Sequence, residues 1–261
     1  MDIESKKFLG QPKNFISIFN ALLFDGQPVL KPEYLKDENS ELVMNVSSKH
    51  VDIIKRYEDG TYLDLFVIES QSYVDPSMVA RVMEYESVAR MRYIRQNFKK
   101  HVPMHTRLPM ILTVVLYVGE SKWNAAKRLS ELEIIHPGFE DMFNEFKLNL
   151  IELNTNHKYN TGEKATQDFF DLLRMIYRKQ ILKEDLDREF NRDALYFAYV
   201  VTKNKELLNI YQKSEKGDVK VCRALDEMFE ESTNRGIQLG IKQGIERGEK
   251  IHKSKSRLRC L

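Results

Sequence analysis

Hydrophobic residues recur every three or four positions in several stretches of the chain, and this spacing predicts amphipathic α-helices. The first predicted helix covers residues 12–24, where Pro12 is a suitable first-turn residue. A longer helix is predicted from Pro76 to about Phe98. The same spacing predicts three more helices in the second half of the chain, over residues 165–182, 184–202 and 218–232.

Elsewhere the hydrophobic pattern favours β-strands. Three β-prone stretches precede the long helix: residues 42–46, 51–57 and 61–69. Asp59-Gly60 predicts a hairpin turn between the last two. Residues 110–118 are a continuous apolar run, typical of a strand buried on both faces, so the helix before it becomes a crossover between parallel strands. Residues 148–153 predict one more strand.

These elements predict an α/β fold with a mixed central sheet, a β-hairpin and flanking helices, followed by a mostly helical C-terminal region. We divide the chain into a core domain at residues 1–155, a helical region at 156–232, and a glycine-spaced helix with a basic tail at 233–261. In the last region glycines recur every four residues with isoleucines beside them: Gly236, Gly240, Gly244 and Gly248, with Ile237, Ile241 and Ile245. Small residues at this spacing let another helix approach closely, but interior glycines weaken an isolated helix. We therefore expect either a partner helix, as in a homo-oligomer formed through the C-terminal helices, or partial disorder of this segment.

Composition places the chain among ordinary globular proteins, with 42% hydrophobic residues, 31% charged residues and a net charge of +2. The two cysteines, Cys222 and Cys260, form neither a disulfide framework nor a zinc motif. The sequence shows no signal-peptide core and no apolar run of about 18 residues, so no membrane span is predicted. A cytoplasmic protein fits these features best.

Acidic and amide side chains lie together on the second strand of the predicted hairpin. Side chains alternate between the faces of a strand, so Glu69 and Gln71 share one face near its carboxyl end. With a two-residue turn at Asp59-Gly60, Asp52 lies opposite Val67 on that face, roughly 7–8 Å from Glu69 between backbone carbons. With a three-residue turn, Asp52 points away. With the two-residue turn, the carboxylates of Asp52 and Glu69 are close enough to bind one Mg²⁺, which prefers hard oxygen ligands.

Four motifs, in this order and spacing, resemble the recombination-promoting nuclease family, a transposase-like group within the PD-(D/E)xK nuclease superfamily: Asp52-Ile53-Ile54, Val67 to Ser72, Arg81-x-x-x-Tyr85, and Pro109 to Tyr117 followed by Gly119. The resemblance covers roughly residues 8–248. It implies a restriction-endonuclease-like core and a Mg²⁺-dependent endodeoxyribonuclease that hydrolyses phosphodiester bonds. It implies metal binding by Asp52 and Glu69, with Gln71 as a third catalytic residue. The superfamily more often has lysine at the position of Gln71.

The long helix carries candidate contacts to DNA phosphates: Arg81, Tyr85, Arg92, Arg95 and Lys99. A helix predicted through Phe98 would place the last three on one face. Each has a purely structural alternative. Arg81 would form a salt bridge with Glu84, Glu86 or Asp75, and the basic residues would form a solvated helix face.

Three functions follow from these patterns, and DNA is the expected partner in the first two. The first is a metal-dependent, recombination-promoting endonuclease. The second is a DNA-binding protein that keeps the nuclease fold with little catalysis, because Gln71 lacks the positive charge of lysine. The third is an assembly protein that acts through its C-terminal helices.

Overall fold

A computed structural model describes residues 3–38, 53–61, 63–214 and 217–258. The helices of this part are α1 (Ile3–Gly10), α2 (Pro12–Phe24), α3 (Met78–Asn97), α4 (Lys164–Arg178), α5 (Arg192–Thr202), α6 (Lys205–Lys213) and α7 (Cys222–Leu258). The strands are β1 (Leu35–Asp37), β2 (Ile53–Glu58), β3 (Leu63–Gln71), β4 (Met110–Tyr117), β5 (Asn149–Glu152), β6 (Glu189–Phe190) and β7 (Val219–Lys220).

The central sheet has five strands in the order β1-β2-β3-β4-β5. The β2 strand runs antiparallel to both β1 and β3, whereas β4 is parallel to both β3 and β5. The α3 helix connects the parallel strands β3 and β4, as the sequence predicted. The prediction of an α/β fold with a mixed sheet, a hairpin, flanking helices and a helical C-terminal region is therefore confirmed.

The hairpin between β2 and β3 has a longer connection than predicted. Glu58 pairs with Leu63, so residues 59–62 link the strands instead of a two-residue turn. Gly60 adopts a φ of +91°, and the Thr61 backbone amide donates to Asp59 Oδ1 at 2.9 Å. The extra two residues shift the pairing by two positions, which preserves the face on which each side chain lies. Residues 42–46 and Asp52, for which a strand and a site role were predicted, lie outside the described residues.

Helices cover both faces of the sheet because β3 is apolar on both. On one face Phe66 and Ile68 join a large core with α1, α2, α4 and α5, and the Phe66 ring stacks on Phe19 at 4.7 Å between centroids. On the other face Leu65 and Val67 pack against Tyr85 and Ala89 of α3. Glu69 and Gln71 belong to this second face, at the carboxyl end of the strand, where α3 begins.

The C-terminal half is helical, but its boundaries differ from the prediction. The helix predicted over 184–202 begins at Arg192, because Asn191 Oδ1 caps it by accepting from the backbone amides of Asp193 and Ala194. The β6 strand precedes that cap and pairs with β7. The predicted helix 218–232 and the glycine-spaced segment after it form the single helix α7. The domain division at 155 and 232 stays a prediction.

None of the helices in the described ranges combines the length and the apolar character that a membrane crossing requires.

Candidate functional site

Glu69 and Gln71 lie side by side beneath the start of α3, buried at 2% and 5% exposure respectively. Gln71 Nε2 donates a hydrogen bond to Glu69 Oε1 at 2.9 Å. The two residues pair with Val115 and Tyr117 of the parallel strand β4. The predicted shared face is therefore present, at the carboxyl edge of parallel strands where α/β proteins commonly place their sites.

Arg81 brings a positive charge to this pair. Arg81 Nη2 donates to Glu69 Oε1 at 2.9 Å, the same oxygen that Gln71 contacts. Arg81 also donates to the Tyr85 hydroxyl through Nε at 3.1 Å and through Nη2 at 2.8 Å. The Arg81 side chain is 13% exposed and that of Glu69 is 3% exposed, so the ion pair is shielded from bulk water.

Asp75 holds the other end of the Arg81 guanidinium. Asp75 Oδ2 accepts from Arg81 Nη1 at 2.5 Å, and its other oxygen, Oδ1, accepts from the backbone amide and the hydroxyl of Ser77. Asp75 thus joins the loop after β3 to the first turn of α3. Of the structural alternatives for Arg81, the salt bridge with Asp75 is present, together with one to Glu69.

The surroundings set the charge of each group in this cluster. Burial favours the neutral acid at Asp75, but hydrogen bonds from Ser77 and Arg81 outweigh it and lower the pKa of Asp75 below its usual value. Burial also opposes the charge on Arg81, yet its bonds to Asp75 and Tyr85 raise the Arg81 pKa. Burial raises the pKa of the Tyr85 hydroxyl. At neutral pH the cluster therefore contains a charged guanidinium, the Asp75 carboxylate and a neutral phenol.

A close approach of two loops fixes the edge of the sheet beside this cluster. A Cβ atom on Gly119 would lie 2.7 Å from the backbone oxygen of Ser72, so only glycine fits there. The Val118 amide also donates to the Gln71 carbonyl at 2.8 Å. The chain after β3 and the chain after β4 are thus tied together next to Gln71.

The remaining basic candidates lie further along α3. Arg92 is partly buried and Arg95 is exposed within the helix, which ends at Asn97. The prediction that Arg92, Arg95 and Lys99 share one helix face is wrong for Lys99. This residue lies beyond α3, because the backbone at Phe98 becomes extended, with φ −128° and ψ 96°. Their role as phosphate contacts stays a prediction.

Among the described residues, no group of three or more His, Cys, Asp or Glu side chains is arranged to hold a metal ion. Of the two predicted metal ligands, Glu69 is described, whereas Asp52 lies in the preceding undescribed stretch. Asp52 immediately precedes Ile53, which pairs with Ile68, the neighbour of Glu69. The predicted pair therefore has one described member.

Asp75 is the residue of this cluster that sequence reasoning considered only as a salt-bridge partner. The available signal was Asp75-Pro76-Ser77, an acidic residue and a serine around a proline at the start of a helix. That pattern predicts a helix start, but it does not predict that the same carboxylate binds Arg81.

A comparison with protein families matches residues 6–207 to the family described as "Putative transposase, YhgA-like". No curated protein and no solved structure matches the chain. The family match covers well over half of the 261 residues. It includes the central sheet, α3 and the site residues Glu69, Gln71, Asp75, Arg81 and Tyr85. This chain therefore belongs to the YhgA-like family of putative transposases.

Proposed function

We propose that this protein is a divalent-metal-dependent DNA endonuclease with a recombination-promoting, transposase-like role. The observation that carries the proposal is the contact of the buried Glu69 and Gln71 with the partly buried Arg81 at the carboxyl edge of the parallel strands. Active sites commonly contain a buried carboxylate with defined hydrogen-bond partners at such an edge. Membership of a transposase-like family makes DNA the substrate to test first.

The chemistry of the donor set fits Mg²⁺. Glu69 offers a carboxylate and Gln71 an amide oxygen on the same strand face, both hard ligands of the kind that Mg²⁺ takes alongside several waters. In the proposal Asp52, which immediately precedes β2 in the sequence, adds the second carboxylate. Mg²⁺, when bound, neutralises charge on the scissile phosphate and lowers the pKa of a bound water.

The side chains of this protein have separate tasks in the proposed reaction. Asp52 and Glu69 hold the cation, and Gln71 orients the attacking water or a phosphate oxygen by hydrogen bonding. Arg81 lies beside the proposed metal ligand, with Nη2 2.9 Å from Glu69 Oε1, and in the proposal it attracts the phosphate electrostatically. Arg92, Arg95 and Lys99 provide weaker, salt-sensitive contacts to the DNA backbone further along.

The test is nicking of supercoiled plasmid by the full chain, with Mg²⁺ and with excess EDTA. The proposal expects conversion to open-circular DNA that requires the metal. The result that contradicts it is intact plasmid at all concentrations of Mg²⁺ and Mn²⁺, or cleavage that EDTA leaves unchanged.

A DNA-binding protein with little catalysis is the second candidate, and a specific contact favours it. Gln71 carries no charge, and Arg81 already neutralises Glu69 in part. A gel shift of duplex DNA without any nicking would select this candidate over the nuclease.

We also propose that the protein self-associates through α7. This helix has 37 residues, and Ile237, Ile241 and Ile245 are each more than half exposed along one side. A Cβ atom on Gly236, Gly240 or Gly244 would meet nothing within 4 Å, so another backbone can approach there. A solitary helix with an exposed apolar stripe gains stability when a second helix covers the stripe.

The charges along α7 favour an antiparallel arrangement of two copies. The first half of α7, residues 222–240, has more acidic than basic residues: Asp226, Glu227, Glu230 and Glu231 against Arg223 and Arg235. In the second half, residues 241–258, the six lysines and arginines outnumber Glu246 and Glu249. Two antiparallel helices bring the acidic end of one copy toward the basic half of the other. A parallel pair would instead align like charges.

Replacing Ile241 by aspartate is expected to convert a dimer of the full chain to a monomer, because each copy would place a charge in the covered stripe. Size-exclusion chromatography with light scattering measures the mass. Gln243→Asp is the matched control, since Gln243 lies on the opposite side of the helix and is also exposed. A monomeric wild-type protein, or a dimer that Ile241→Asp leaves intact, contradicts the proposal.

A further inference from the structure

The guanidinium of Arg81 is held by an unusually complete set of contacts. An arginine has five N–H donors in a rigid planar fork. Four of them are used within the described residues: one by Glu69, one by Asp75 and two by the Tyr85 hydroxyl. One hydrogen on Nη1 has no acceptor among the described residues, so the group retains a donor for a phosphate oxygen.

A single carboxylate both starts the α3 helix and sets the orientation of this guanidinium. Asp75 Oδ1 accepts from the Ser77 amide at 2.9 Å and from the Ser77 hydroxyl at 2.7 Å. Asp75 Oδ2 accepts from Arg81 Nη1. Because Asp75 Oδ1 is bound to Ser77 at the start of the helix, the position of Oδ2 is fixed. The hydrogen bond from Arg81 Nη1 to Oδ2 then orients the plane of the Arg81 guanidinium.

The orientation of Arg81 matters because of the residue beside it. Gln71 contacts the same Glu69 oxygen as Arg81 but contributes no charge. The positive charge nearest to Glu69 in the described structure is therefore on α3 and not on β3. Preorganised charge in a site shielded from water acts on a reacting phosphate more strongly than mobile charge, because no reorganisation is needed during the reaction.

We infer that Asp75 is a positioning residue: it fixes the Arg81 guanidinium against Glu69, so that Arg81 supplies the positive charge that glutamine at position 71 does not. The inference rests on the proposed function and adds to it a residue outside the Asp52, Glu69 and Gln71 set. Tyr85 assists by binding the opposite edge of the same guanidinium through two hydrogen bonds.

Asp75→Asn is the informative substitution. Its amide oxygen can still accept from Ser77, whereas its NH₂ group cannot accept from Arg81. We expect kcat for nicking to fall about 10- to 100-fold while KM for DNA changes less than about threefold, as when a residue that orients a ligand group is removed. Ser77→Ala is the matched control, because it removes one hydrogen bond to Asp75 and leaves the Arg81 contact. Its kcat should stay within about threefold of wild type.

A double-mutant cycle separates positioning from general support of the fold. If Asp75 acts through Arg81, Asp75→Asn lowers kcat no further in an Arg81→Ala background. The inference is overturned if Asp75→Asn behaves like Ser77→Ala, or if it causes the same loss with and without Arg81. Either result leaves the nuclease proposal standing, whereas a wild-type protein that never cleaves DNA removes the nuclease proposal itself.

Should Asp75→Asn fail to fold, Asp75→Glu is the second variant. It keeps the carboxylate charge but lengthens the side chain by one methylene, so one oxygen can no longer bind Ser77 while the other binds Arg81 Nη1 as Asp75 does. A kcat loss that disappears in the Arg81→Ala background supports the inference, and an unchanged kcat contradicts it.

Discussion

Replacing Glu69 by glutamine is expected to lower the Mg²⁺-dependent nicking rate by about 100-fold or more. Substitutions of residues that merely orient a metal ligand lower metal affinity or activity by about 10- to 100-fold. Removal of the charge of a ligand itself should therefore lower the nicking rate by about 100-fold or more. The substitution retains the size of the side chain and one side-chain oxygen. In the wild-type protein Gln71 Nε2 and Arg81 Nη2 each donate to Glu69 Oε1 at 2.9 Å, and the remaining oxygen of the variant can still accept these bonds. Only the carboxylate charge is lost.

The folded state should survive this change. Arg81 keeps Asp75 and Tyr85 as partners, and the loss of one charged hydrogen-bond partner costs about 1–3 kcal/mol. The rate is measured on supercoiled plasmid, and thermal unfolding is followed in parallel. A reduced rate at an unchanged folded fraction assigns the loss to chemistry.

Asp64→Asn is the matched control for Glu69→Gln. Asp64 is also a carboxylate on β3, but it lies at the other end of the strand, where its Oδ1 accepts from the Met110 amide at 3.2 Å. Its nicking rate should remain within about threefold of wild type. Asp52→Asn should behave like Glu69→Gln, since the two form the proposed ligand pair. A Glu69→Gln protein that nicks at the wild-type rate would remove Glu69 from the mechanism.

Replacing Asp168 by alanine is expected to lower the free energy of unfolding by about 3 kcal/mol, the largest stability change that we predict. Asp168 is 1% exposed in α4. It accepts hydrogen bonds from Arg188 at 2.7 Å, from Lys164 at 2.6 Å and from the Asn191 amide at 2.7 Å. Removal of the carboxylate takes the acceptor from the Asn191 amide and one contact from Arg188. It also takes one contact from Lys164, which is 54% exposed and keeps the Glu189 carbonyl and Asp218 as partners.

The network around Asp168 explains why the cost is large but bounded. Arg188 also binds Asp171, which is 2% exposed, so the guanidinium keeps one carboxylate after the substitution. The Arg188 side chain is 30% exposed and regains some hydration. The cost therefore lies near the lower end of the range for breaking a buried ion pair, which is about 3–5 kcal/mol.

An exposed ion pair of similar length provides the comparison. Asp187 and Arg223 lie 2.9 Å apart, but their side chains are 71% and 73% exposed. Asp187→Ala should change the free energy of unfolding by less than about 1 kcal/mol, because water screens the pair. Urea unfolding of both variants tests the difference. Equal midpoints for Asp168→Ala and Asp187→Ala would show that burial does not determine the strength of these pairs.

Function should be unaffected by the Asp168 substitution below its unfolding transition. The α4 helix packs on the face of the sheet that carries Phe66 and Ile68, opposite to Glu69 and Gln71. Folded Asp168→Ala protein should therefore nick plasmid at close to the wild-type rate.

Patterns that repeat within one element were readable from the sequence alone. The α2 helix spans Pro12–Phe24, as its hydrophobic spacing predicted, and β4 spans Met110–Tyr117 within the predicted 110–118. The shared face of Glu69 and Gln71 followed from the two-residue period of a strand. These features depend on backbone geometry over a few residues, so local sequence determines them.

Two short strands that depend on pairing between distant segments were not predicted. The β6 and β7 strands have two residues each, too few for a hydrophobic period, and they form because packing brings residues 189–190 next to 219–220. The hairpin connection was wrong by two residues because Asp-Gly marks a turn without specifying its length.

The sequence by itself determined which side chains of β3 share a face and that a crossover helix follows them. Only the tertiary structure decided that Arg81, twelve residues after Glu69, reaches back to it and is held there by Asp75. The physical reason is that strand and helix periods act locally, whereas the partner of a long charged side chain depends on how α3 packs against the sheet.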